Sequence, residues 1–393
     1  MTASREHDTG RPGDGGQGRS LELLERLVRI DSVNPALVEG AAGEDAIAGF
    51  VAAWGEARGM EVTRLEPVAG RPSVVLVARG SGGGESLMLN AHLDTVGVEG
   101  MEAPFRPRLE GGRLYGRGAL DMKAGLAAAM TALEAASRLE LRGDVLLAAV
   151  ADEEHASLGT EAVLEHFGAD GAIVTEPSNL ELHLAHRGFA VFELETLGVA
   201  SHTSQPERGV NAVAHMGHVL AAVEALQKEL AAREPHALAG RGSAQVVRIR
   251  GGEELFVTPA SCRASFERRT VPGETLRTVE GELEALLSLA AAGGEGFRGR
   301  AELELLREPF EVDGGARIVR LAREHAGRVL QREPVTAGAP YWTDAALLQA
   351  AGIPTLVLGP SGEGLHAADE HVEVASVAAL EAILTGVIGA FCA

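Results

Sequence analysis

Histidine, aspartate and glutamate recur just beyond apolar runs, and that placement is the first sign of chemistry. His92 and Asp94 follow the apolar residues 87–91. Two positions apart on an extended segment, they face the same way. The Asp94 carboxylate can then accept a hydrogen bond from one imidazole nitrogen and leave the other free for a metal. Taken singly, a His-x-Asp pair is equally an ordinary structural contact. Asp121 lies in Gly116-Arg117-Gly118-Ala119-Leu120-Asp121-Met122-Lys123-Ala124-Gly125, directly before a helical pattern, where it could simply cap the helix. The flanking glycines suggest instead a close approach of backbone and ligand. Asp152-Glu153-Glu154 follows seven apolar residues, Glu176 follows the run 172–175, and Gly362-Glu363-Gly364-Leu365-His366 comes after the run 355–358. Three adjacent acids at the end of a buried strand repel one another unless a cation is near.

Together His92, Asp121, Glu154, Glu176 and His366 are two imidazoles and three carboxylates. If one carboxylate bridges, each of two metal ions has three protein ligands and an open position for water. That is the stoichiometry of a dinuclear hydrolytic site, with ions ~3.5–4 Å apart. Glu153, next to a ligand and not needed as one, is then free to act as general base.

The elements that must carry these residues alternate. Helical spacing at 21–30, 45–58, 122–138 and 160–166 is interleaved with apolar strands at 73–78, 87–91, 145–151 and 172–175. This argues for an α/β fold built on a doubly wound sheet, with the acids at the C-terminal strand edges where such sheets keep their ligands. From about residue 187 the texture changes to a βαββαβ-like order, and the α/β texture resumes after about residue 305. The expected organisation is a disordered tail at 1–19, a catalytic domain at 20–186 and 305–393, and an inserted α+β domain at 187–304. The apolar C-terminal stretch 374–393 is interrupted by Glu381 and reads as a buried terminal helix. Gly80–Gly84 lies between two strands, not before a helix, so it reads as a hairpin turn and not a phosphate loop. His183 and His186, three apart on a strand-like run, face opposite sides and make a poor metal pair. Asp344 precedes a helix and reads as a cap, in a loop that could also line a substrate pocket.

Composition narrows the function further. Hydrophobic residues make up 46% and charged residues 23%, which fits a large buried core and excludes a disordered or fibrous chain. Acidic residues number 56 against 35 basic, a net charge of -21, so neither nucleic acid nor an anionic membrane is the expected partner. Cys262 and Cys392 cannot build a disulfide framework, and with no secretory signal pattern at the N-terminus a cytoplasmic location is expected.

The ordered set Ala91-His92-Leu93-Asp94-Thr95, Gly118-Ala119-Leu120-Asp121-Met122-Lys123, Asp152-Glu153-Glu154, Thr175-Glu176-Pro177 and His366 with Glu370 behind it resembles a known family over residues 20 to 393. It is the dizinc amidohydrolase and exopeptidase family of acetylornithine deacetylase, succinyl-diaminopimelate desuccinylase, aminoacylase and glutamate carboxypeptidase. The resemblance implies a zinc-exopeptidase-like sheet with a ferredoxin-like dimerisation (lid) domain, and two Zn²⁺ per chain, with Co²⁺ or Mn²⁺ also suited to these ligands. It implies that Asp121 bridges the metals, that His92 and Glu176 complete one site and Glu154 and His366 the other, and that Asp94 orients His92. Glu153 would be the base, and the Asp121–Met122 peptide would be cis. In the inserted segment, Gly198-Val199-Ala200-Ser201-His202-Thr203-Ser204 matches the motif whose His reaches the partner subunit's active site, which implies a homodimer. Arg269, in Glu267-Arg268-Arg269-Thr270-Val271-Pro272, matches a candidate clamp for a substrate carboxylate. One departure is Phe256, where the family commonly has Asn; it weakens an N-acetylornithine assignment. The expected activity is hydrolysis of the amide of an N-acyl amino acid. A di- or tripeptidase or carboxypeptidase of the same family is the alternative, and a catalytically inactive metal-binding relative is the alternative of another class.

Overall fold

A computed structural model describes residues 14–393, and residues 1–13 of the expected tail lie outside those described. The tail reading is corrected beyond them, because Asp14–Val28 is one helix. Leu23, Leu24, Leu27 and Val28 are buried along it at helical spacing, and the helix runs back from that face into the polar residues before it.

The chain divides into two compact units. One consists of the chain up to His183, Val312–Thr336 and Thr343–Ala393; the other consists of Leu184–Glu311 and Ala337–Trp342.

The first unit is built on a mixed sheet whose strands lie in the order Glu61–Leu65, Ser73–Ala78, Val145–Val150, Leu87–His92, Gly171–Val174 and Thr355–Val357. The first two junctions are antiparallel and the next three parallel. Every residue of Ser73–Ala78, Leu87–His92, Val145–Val150 and Gly171–Val174 is buried, as continuous apolar runs require. Each Val or Leu so buried contributes about 1.5–3 kcal/mol of transfer free energy. Helix Lys123–Ala136 packs against the C-terminal helix Val374–Phe391, which also meets Arg317–Leu330. Val374–Phe391 is the one helix among the described residues long and apolar enough to cross a membrane. Its Val377, Leu380, Leu384, Val387 and Phe391 are instead buried at helical spacing, the pattern of a core helix.

A second small sheet, not foreseen, orders Gly362–Glu363, His371–Glu373, Arg113–Tyr115 and Arg108–Glu110. Its strands are two or three residues long, too short to show a periodicity. Gly362–Glu363 and His371–Glu373 pair as a hairpin, and His366 sits on the connecting loop.

The second unit follows a βαββαβ order: Gly188–Leu197, Ala212–Ala232, Ser243–Gly251, Ser261–Thr270, Leu276–Ala292 and Gly299–Arg307. The antiparallel sheet runs second, third, first, fourth strand, the ferredoxin-like arrangement. Phe192, Leu194 and Phe266 from its strands bury with Met216, Val219, Leu283 and Leu286 from its two helices.

Candidate active site

Three parallel strands in register bring Glu153, Glu154, Glu176 and His92 to a single sheet edge. His92 ends Leu87–His92 opposite Val150, two residues before Asp152, and Asn90 pairs with Val174, two residues before Glu176. Asp121 comes from the loop before Lys123–Ala136, and His366 from the small-sheet hairpin. Asp121 stands between two pairs. Its Oδ1 is 3.0 Å from His92 Nε2 and its Oδ2 is 3.2 Å from His366 Nε2. His92 Nε2 is also 3.3 Å from Glu176 Oε1, and His366 Nε2 is 3.2 Å from Glu154 Oε2. Glu153 joins this cluster: donor atoms of His92, Glu153 and Glu176 lie within 4.8 Å of one another, as do those of His92, Asp121 and Glu154.

Such a cluster is short of positive charge. Burial lifts Glu153 well above the usual carboxylate range, and the charge of Glu176 adds to the rise. Burial pushes Glu176 up to about 8, with Asp121 contributing. Burial also raises Glu154, again with help from Asp121. Hydrogen bonds to Asp121 and Glu154 hold His366 at about 10. Burial opposes charging His92, yet Glu176 and Asp121 outweigh it and keep the imidazolium well above its ordinary range. Asp121 alone among these carboxyls is held down, because hydrogen bonds from His366 and His92 overcome its burial. Divalent charge at this place would stabilise the ionised form of these carboxyls. Glu154 Oε1 is buried without a hydrogen-bond partner, a costly state for a carboxylate and one that a cation would relieve. The mixed imidazole and carboxylate donors suit zinc and similar divalent ions.

The supporting groups differ from expectation at Asp94. His92 Nδ1 bonds the Asp94 backbone carbonyl at 2.9 Å, while the Asp94 carboxylate lies 3.6 Å away. That carboxylate instead accepts the backbone N–H groups of Glu153 and Glu154 at 3.1 and 3.2 Å, and Asn34 Nδ2 at 2.8 Å. Asp94 therefore orients the imidazole through its main chain and the acid loop through its side chain. Glu370 does the same for Asp121. Its buried carboxylate accepts Arg117 Nη1 at 2.7 Å and the backbone N–H groups of Gly118, Leu120 and Asp121 at 2.8–3.1 Å. The Asp121–Met122 peptide is cis, and Asp152 and His366 have left-handed φ values of 69° and 60°. Non-glycine residues hold such values where the surroundings over-determine them, as around functional sites. Asp344 accepts Thr160 Oγ1 at 2.6 Å and Thr160 accepts Asn90, but the Asp344 side chain does not cap the following helix; Thr343 Oγ1 accepts the Ala345 N–H there instead, at 3.2 Å. Burial raises its carboxyl to about 6.

Sequence reasoning missed Asn34, Glu44 and Arg71, which lie behind the acid loop. Asn34 and Arg71 each precede a proline, a faint signal for extended backbone and none for the partners they reach.

His202 and Arg269 belong to the second unit. His202 is exposed, bridges in backbone register with Val257, and bonds Ser204 Oγ at 2.8 Å through Nδ1. The Arg269 fork is already engaged by Glu267, at 2.9 and 3.0 Å. Phe256 is 71% exposed at φ 68°, and its carbonyl accepts Thr203 N–H.

Comparison with known proteins identifies the family. The family model described as peptidase family M20/M25/M40 matches residues 88–390. The chain belongs to that family. An acetylornithine deacetylase of Proteus mirabilis (strain HI4320) is 29% identical over 385 residues, spanning 95% of this chain and 96% of the relative. An M20 family metallo-carboxypeptidase from Sulfolobus solfataricus superposes with a TM-score of 0.77 at 20% identity, covering 95% and 99% of the two chains. A Bacillus subtilis protein described as a dinuclear metal binding peptidase of the M20 family gives 0.74 at 17% identity, covering 96% and 98%. As an M20 family member, the protein is a metal-dependent amide hydrolase.

Proposed function

We propose that the protein removes the acyl group of an N-acyl amino acid by hydrolysis at a dinuclear centre. The observation that carries this is the placement of Asp121, with one carboxylate oxygen toward His92 and Glu176 and the other toward His366 and Glu154. In this reading His92, Asp121 and Glu176 would hold one divalent ion, zinc by preference, and Asp121, Glu154 and His366 a second. Bound there, the ions would supply Lewis acidity to the attacking water and the substrate carbonyl.

The remaining work falls to the chain. Glu153 takes a proton from the water as the water oxygen forms a bond to the carbonyl carbon. It then returns that proton to the departing nitrogen as the C–N bond breaks, leaving a carboxylic acid and a free amino acid. Asp94 holds the Glu153 backbone, and Glu370 holds that of Asp121. His202, supplied by a second copy of the chain in a homodimer, donates a hydrogen bond to the oxyanion. Arg269 would meet the substrate α-carboxylate on release from Glu267, which holds its fork at 2.9 and 3.0 Å. Phe256, where relatives commonly have Asn, would remove a polar contact to substrate if that Asn makes one, which weakens an N-acetylornithine assignment. Free, buried Cys262 and Cys392 suit a cytoplasmic location.

The test is a hydrolysis screen of acetyl, succinyl and glutamyl amino acids together with di- and tripeptides, using zinc- and cobalt-loaded enzyme. Preferred turnover of an N-acyl amino acid, lost in His202→Ala at unchanged metal content, is the expected result. Preferred cleavage of unblocked peptides would replace deacylation with exopeptidase activity.

A further inference from the structure

We infer that Arg71 is a positioning residue of the hydrolytic centre, holding Asp152 and through it the direction of Glu153. The guanidinium is buried among oxygen acceptors. Its Nε donates to Glu44 Oε2 at 2.7 Å, and its Nη2 to Glu44 Oε1 at 2.7 Å, Asp152 Oδ1 at 2.7 Å and Asn34 Oδ1 at 3.1 Å. Glu44 and Asp152 are both 0% exposed. Asn34 ties this hub to the other support of the acid loop, donating through Nδ2 to Asp152 Oδ1 at 3.0 Å and to Asp94 Oδ2 at 2.8 Å.

The acid loop is therefore gripped along its length. The Asp152 side chain is held by Arg71 and Asn34, and its carbonyl by the N–H groups of Ala156 and Ser157. The N–H groups of Glu153 and Glu154 are held by Asp94. Asp152 keeps a left-handed φ of 69°, and that conformation aims the following residue. A bidentate, planar guanidinium fixes two carboxylates at once, which a lysine ammonium cannot do with the same geometry. Loss of this grip has unequal consequences for the two glutamates. Glu154, as a metal ligand, would be kept in place by the ion; Glu153, as the base, would be aimed chiefly through its backbone, whose N–H Asp94 holds.

The inference rests on Glu153 being the base, so the experiment includes that residue. Arg71→Lys and Glu44→Gln are made in the metal-loaded wild type and in Glu153→Gln, and kcat, KM, metal content and Tm are measured. The substrate is the N-acyl amino acid that the wild type hydrolyses fastest. Arg71→Lys should lower kcat by ~10–100-fold in the wild type, with KM and metal content retained, since a small misplacement of a reacting group has effects of this order. In Glu153→Gln it should lower the residual rate no further, because the two substitutions disable one function. A merely structural arginine would lower Tm and act by the same factor in both backgrounds. If Arg71→Lys does not fold, Glu44→Gln keeps shape and acceptor while releasing part of the grip, and should lower kcat by up to ~10-fold with the same non-additivity. Full kcat in either folded variant, or equal factors in both backgrounds, would overturn the positioning role. Normal turnover by Glu153→Gln alone would instead overturn the assignment of the base.

Discussion

At the scale of single residues, the proposed mechanism gives two adjacent glutamates different roles. Glu153 and Glu154 share the loop held by Asp94, but Glu154 faces His366, and Glu153 lies toward His92 and Glu176. Glu153→Gln keeps the shape and removes the proton acceptor, so kcat should fall by ~10²–10⁴-fold with metal content unchanged. Glu154→Gln should instead release one ion, so paired kinetics and metal analysis of the two variants distinguish base from ligand. These residues were legible in the sequence because each follows an apolar run that had to be a buried strand. Asp94 was legible as a neighbour of His92, but its partners were not: the hydrogen bond that reaches the imidazole comes from a carbonyl, which every residue has. Asn34, Glu44 and Arg71 act across 27 to 118 positions of sequence, and no local spacing encodes such pairings.

At the scale of elements, the centre depends on connections that are neither helix nor long strand. The loop from Gly116 to Asp121 presents the shared carboxylate, and Glu370, just before strand His371–Glu373, binds its backbone N–H groups. This explains why His366 and Asp121 meet although they are 245 positions apart. Removing the Glu370 side chain would leave Arg117 without its carboxylate and three backbone N–H groups without their acceptor. Glu370→Ala should therefore destabilise the fold by about 3–5 kcal/mol in urea unfolding, the range for breaking a buried charged pair. It should also weaken metal binding, while a stable variant with unchanged metal affinity would contradict the clamp. The major strands could be read from their apolar runs, and the helices from their 3.6-residue spacing. The small four-stranded sheet could not, since its pairs are made by tertiary contact and not by pattern.

At the scale of the whole molecule, the excess of carboxylates acquires a local meaning. Most of the 56 acids have no place in the chemistry, but four of them converge with two imidazoles at one sheet edge. The buried carboxyls Glu153, Glu154 and Glu176 are all pushed upward, and so are His92 and His366, the pattern of a site whose ionised carboxylates divalent cations would stabilise. The change to α+β texture was visible from about residue 187 because amphipathic alternation replaced continuous apolar strands. The extent of the N-terminal helix was not visible, because the glycine- and charge-rich residues from 14 onward carry no apolar face of their own. In the proposed centre Asp121 is shared by two ions. The most direct test of that sharing is elemental analysis of purified, dialysed and active protein, followed by chelation and metal return. About two divalent ions per chain are expected, with activity lost on chelation and restored as both ions return. An active preparation holding one ion per chain, or none, would contradict it.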